Sequence, residues 1–159
     1  MRSIISILEI QFELTDERTR LLIDSVSDAV LYQIFPDRPG SMFPRSCAAY
    51  ILRSAAMVEQ SFGGITTRLW DDPFEWTLTE KLNDRAAVLE YLDEVKAVRT
   101  KGFRFIGSDA DLLKAIPAPE RLKPLAQIII TSLTAAERYL GRAYALAELQ
   151  TETRLSGNR

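Results

Sequence analysis

The sequence predicts an all-α fold, a four-helix bundle with one long crossover between its second and third helices. Three observations predict it. Apolar residues recur at three- and four-residue spacing in four separate segments. Three stretches rich in proline and glycine divide those segments. One of the intervals, residues 65–82, is far longer than a common connection and suits a crossover between helices that a short loop cannot join. Residues 1–153 read as one domain, and residues 154–159 as a polar tail that frays. A chain of 159 residues suits a single core and buries about 70% of the surface its unfolded form exposes.

The first helix is expected over about residues 4–34, with Leu21, Leu22, Val26, Ala29 and Val30 on one face. Ile10, Phe12 and Leu14 alternate with Gln11 and Glu13 as a strand would. The good helix formers around them and the lack of a turn signal favour helix. Pro36-Asp37-Arg38-Pro39-Gly40 then makes a turn. A second helix follows over about residues 44–62, with Cys47, Ile51, Ser54, Ala55, Val58 and Phe62 inward and Gly63-Gly64 as its stop. The interval 65–82 holds Trp70, Phe74 and Trp76, which either line a binding mouth or pin the crossover to the bundle. Asn83 caps a third helix whose inner face is Val88, Tyr91, Leu92, Val95, Val98 and Phe105. A short turn is expected over 108–115. The fourth helix starts near Pro124, which suits a first helical position, and turns Leu125, Ile128, Ile129, Ser132, Ala135, Ala136, Tyr139, Ala143 and Leu146 inward.

Composition narrows the function. Twenty basic and 22 acidic residues nearly cancel and are scattered, so no charge field gathers nucleic acid. The apolar start, residues 4–10, is interrupted by Ser6 and Glu9, which gives neither a signal peptide nor a membrane span; a cytoplasmic location is expected. The chain has no histidine, which removes histidine-ligated metals, Ser-His-Asp and Cys-His catalysis, and helical Glu-x-x-His metal pairs. Gly63-Gly64 lacks the spacing and the lysine of a phosphate loop. Asp71-Asp72 reads as a solvated pair rather than a cation site, since a hard cation takes six or more oxygens. The lone Cys47 excludes an intrachain disulfide. It reads as a small core filler rather than a nucleophile, because no base accompanies it.

The order of segments resembles the DinB-like (YfiT-like) superfamily of four-helix bundles over nearly the whole chain. FELTDERTRLL at 12–22 is similar to that family's first helix, AYILRSAAMVE at 49–59 to its second, and residues 84–112 to its third helix and the turn after it. LTAAERYLGRA at 133–143 looks like its last helix, where the pattern is His-x-x-x-His-Arg-Gly-Gln. The resemblance implies three metal-binding histidines at Ser54, Ala135 and Tyr139, none of which retains a suitable ligand. It also implies metal-assisted chemistry, as in thiol transferases, a maleylpyruvate-type isomerase and hydrolases. Without the ligands this chain has no evident route to that chemistry.

The first of three readings, and the favoured one, is a degenerate metal site that needs no metal or other cofactor and binds a small molecule or a protein partner. Its site residues are Ser54, Ala135 and Tyr139, with Glu59, Arg138 and Arg142 within about two turns of that level. Against a pocket there stands Tyr139 simply filling the vacated space. The second reading is a metal-independent enzyme related to the family's transferases or hydrolases, with Tyr139 as proton donor. The third is a homodimer whose seam lies on exposed aliphatic residues of the first or fourth helix.

Overall fold

The computed structural model describes residues 2–35, 39, 45–152 and 155. It is predominantly helical. Among the described residues five helices, α1 (Ser3–Ser25), α2 (Asp28–Tyr32), α3 (Cys47–Thr67), α4 (Arg85–Phe105) and α5 (Leu125–Thr151), occur with two 3-10 turns and one small hairpin, β1 (Ala115–Pro117) with β2 (Leu122–Pro124). The hairpin pairs antiparallel with Ile116 opposite Lys123, and it was not foreseen. Most of the turn expected at 36–40, the start of the second helix at residue 44 and most of the tail lie outside the described residues.

Side-chain contacts give the helix directions. Ser54 meets Ala136, and Ser132 meets Met57, so α3 and α5 run antiparallel. Arg20 meets Asp93 and Glu13 meets Lys96, so α1 and α4 do too. Glu59 pairs with Tyr91 and Phe62 packs at Gly102, which makes α3 and α4 parallel. In the same way Thr15 with Glu137 and Arg18 with Tyr144 make α1 and α5 parallel. The α3–α4 connection must therefore travel back along the bundle. A 21-residue helix is about 31 Å long, and an extended chain over residues 68–84 reaches about 55 Å.

Several expected boundaries and faces shift. Val26 is extended and the Ser27 side chain accepts from the Val30 amide, so the first segment breaks into α1 and α2. The core face of α1 is Ile5, Phe12, Thr15, Thr19, Leu22 and Ile23, whereas Leu21 and Ala29 are exposed. Thr15 and Thr19 serve there because their hydroxyls bond carbonyls four residues back. The opposite face carries Ile7, Leu14 and Leu21 at seven-residue spacing, all exposed, so two apolar stripes competed in the periodicity. On α4 the buried positions are Val88, Tyr91, Leu92, Val95, Arg99, Gly102 and Phe103. Val98 is only half-buried and Phe105 is exposed. Arg99 is covered because it donates to the Phe12 carbonyl at 3.0 Å and pairs with Glu13. Asp84, not Asn83, caps that helix.

Gly63-Gly64 does not stop α3, which continues to Thr67 and ends on Arg68 in the left-handed region (φ 63°). Gly64 serves packing instead. A Cβ there would lie 2.3 Å from the Trp70 ring, and that ring is anchored by its Nε1 donating to the Pro117 carbonyl at 3.2 Å. Gly102 likewise admits Phe62, which completes a cluster with Phe12 and Phe103 at centroid distances of 4.9–5.7 Å. Gly64→Ala is expected to lower stability in urea unfolding by about 1–3 kcal/mol. The cost should largely vanish in a Trp70→Ala background, because the clash partner is gone. An equal cost in both backgrounds contradicts the packing role.

Candidate functional site

The N-terminal half of α3 sets the site. Ser46 caps it, its side chain accepting from the Ala49 amide at 3.0 Å. The cap starts the helix so that Cys47, Ala48 and Ile51 face the core and are fully buried. Burial alone pushes the Cys47 thiol up to about 12, which keeps it protonated and inert near neutral pH. One turn apart, Tyr50 and Arg53 reach toward the crossover and α5.

The crossover meets them there. Proline at the first position and the Asp72 side chain, which accepts from the Phe74 amide, shape a 3-10 turn at Pro73–Glu75. That turn presents Asp72 and Phe74 to Arg53. The guanidinium donates to both Asp72 oxygens, at 2.8 and 3.3 Å, and lies 5.2 Å from the Phe74 ring centroid. Burial works against the Arg53 charge, but its hydrogen bonds to Asp72, together with the Asp72 charge and the neighbouring Tyr139, hold it above its ordinary value. Arg53 in turn lowers the Asp72 carboxyl. From α5, Tyr139 lies nearly parallel to Tyr50 (24° between planes, centroids 6.3 Å apart). Arg142 sits against both rings, at 5.4 and 5.8 Å.

These side chains wall an open cavity of about 460 Å³, lined by Arg45, Tyr50, Arg53, Asp72, Phe74, Tyr139 and Arg142. Of the six residues singled out from sequence, Tyr139 and Arg142 line it. Ala135 is half-buried one turn before Tyr139, and Arg138 is exposed on the same helix. Ser54 faces elsewhere: it is buried, donates to the Ala136 carbonyl at 2.8 Å, and borders a 30 Å³ void between α1, α3 and α4. Glu59 borders a different groove of about 190 Å³ with Asp71 and Trp76. Its carboxyl is raised by burial against the opposing effect of the Tyr91 hydroxyl. The structure therefore brings together two of the six.

Tyr50, Arg53, Asp72 and Arg45 were missed. Tyr50 and Arg53 carried a signal in their one-turn spacing beside the inward stripe, but a polar residue next to a stripe usually faces solvent. Phe74 does stand in a cavity wall, whereas Trp70 is a packing anchor, so the crossover aromatics divide between the two roles considered for them. Among the described residues, no three acidic or thiol side chains converge as a metal site would require. No described helix is long and apolar enough to cross a membrane. Comparison with protein-family models, curated proteins and solved structures finds no match.

The Arg53–Asp72 pair has a pH signature. Asp72 has a lowered folded-state pKa, so its contribution is complete above its ordinary value of 3.8 and is lost as pH falls through the lower folded value. Asp72→Asn should be less stable than wild type at pH 7, and the gap should close on acidification below about pH 4. A gap that is absent at pH 7, or that persists unchanged at pH 2, contradicts the pairing.

Proposed function

We propose that this chain is a four-helix bundle of the DinB-like type that binds a small molecule without a metal, in the cavity between α3, α5 and the crossover. One observation carries the reading: a cavity of about 460 Å³ opens beside Tyr139, where aromatic walls and a few charged groups converge. That volume falls in the range of small-ligand sites, and its lining joins three aromatic rings to four charged side chains. The antiparallel and parallel helix pairs around one core, with the long α3–α4 return, support the bundle assignment.

The donor set argues for metal-free binding. Ser54 spends its hydroxyl on a backbone carbonyl, Ala135 has no side-chain donor, and the Tyr139 ring is packed against Arg142 and Tyr50. A positive guanidinium beside the phenol also disfavours a divalent cation there.

Two measurements test the reading. In an amide-resolved NMR screen of small organic fragments, shift changes should cluster on Tyr50, Arg53, Phe74, Tyr139 and Arg142. Clustering on other surfaces, or no binder at all, overturns it. Zinc, nickel or manganese in excess should leave Tm unchanged. A metal bound at a hundred times its Kd adds about 2.7 kcal/mol, or very roughly 5–10 °C for a domain of this size, and a rise of that order contradicts metal-free binding.

A further inference from the structure

We infer that the ligand of this cavity is a flat organic acid: an aromatic or conjugated body carrying a carboxylate or phosphate. The inference rests on the cavity reading above and deepens it. Charge is the first ground. Three arginines line the cavity against one aspartate. Asp72 is already committed to Arg53 through two hydrogen bonds. Among the described residues no ion pair engages Arg45 or Arg142. The site thus holds cationic groups in excess, which repels an ammonium ligand and attracts an oxyanion.

The second ground is the kind of cation. A guanidinium offers a planar fork of N–H donors that matches a carboxylate or a phosphate. Arg142 is held against two tyrosine rings, at 5.4 and 5.8 Å from their centroids. Arg53 is fixed by Asp72 and lies on Phe74. Side chains already positioned lose less freedom when a ligand arrives.

The third ground is shape. The nearly parallel Tyr50 and Tyr139 rings and the Phe74 ring form apolar walls, and a flat π-face packs on such walls. A bare inorganic ion would leave most of a cavity of about 460 Å³ unfilled. A neutral aromatic would cover them but leave the arginines unmatched, which costs discrimination.

The test uses four probes on the intact chain by titration calorimetry: 1-naphthoate, 1-naphthyl phosphate, 1-naphthalenemethanol and inorganic phosphate. At least one naphthyl acid should bind at least about tenfold tighter than the alcohol, as a charge-assisted hydrogen bond provides, and tighter than inorganic phosphate. The tighter acid identifies the headgroup. Arg142 is exposed, so Arg142→Met leaves the core untouched. It should reduce the acid-over-alcohol preference to less than about threefold. Tyr139→Leu should weaken acid and alcohol together. If the alcohol binds the cavity as tightly as both acids, the acid class falls while the cavity reading stands. If the preference survives Arg142→Met, Arg142 is overturned as the group that meets the anion. If inorganic phosphate binds as tightly as the naphthyl acids, the flat body is refuted. If none of the four binds, both the acid class and the cavity reading fall.

Discussion

The parallel arrangement of α3 and α4 is the constraint on which the rest depends. Two consecutive helices that point the same way oblige the chain to return along the bundle, and residues 68–84 make that return. A return segment must be held down, since ordering each residue costs about 1–2 kcal/mol of backbone entropy. Attachments at its start, middle and end hold it. Trp70 seats on Gly64 and bonds Pro117 at the hairpin end. Asp72 and Phe74 engage Arg53 midway. Tyr32 donates to the Leu82 carbonyl at 3.0 Å as the chain reaches α4. The middle attachment brings a carboxylate and an aromatic ring to a helix face that already carries Tyr50 and Arg53, and the cavity follows from that meeting.

This origin accounts for how much could be read from the sequence. Helical content, the long crossover, the inward stripe of α3 and the starts of α4 and α5 were legible because each rests on local periodicity or a cap. The faces of α1 and α4 were legible only in part. Thr15, Thr19 and Arg99 are polar residues buried by specific hydrogen bonds, and a hydrophobic pattern cannot see such bonds. Ile7, Leu14 and Leu21 supplied a competing apolar stripe on the wrong side of α1. Gly64 looked like a stop because glycine ends helices more often than it makes room for a ring. The cavity was the least legible part. It is assembled from α3, α5 and the crossover, and nothing local relates Arg53 to Asp72 across 19 positions.

The three positions marked by the family resemblance illustrate the same limit. On helical wheels Ser54, Ala135 and Tyr139 all fall toward the interior. In the folded chain Ser54 closes a hydrogen bond between α3 and α5, while Tyr139 leans outward onto Tyr50 and Arg53. Tyr139 is half-buried against the core and at the same time forms part of an arginine-rich wall. Guanidinium groups in such a wall can pair with an anionic group without a metal.

A crystal structure of the protein soaked with 1-naphthoate tests the central claim most directly. The expected result is ligand density between Tyr50, Tyr139 and Phe74 with its carboxylate on Arg142, and the crossover still clamped to Arg53 through Asp72. Density at another surface, or a crossover lifted away from α3, would contradict it.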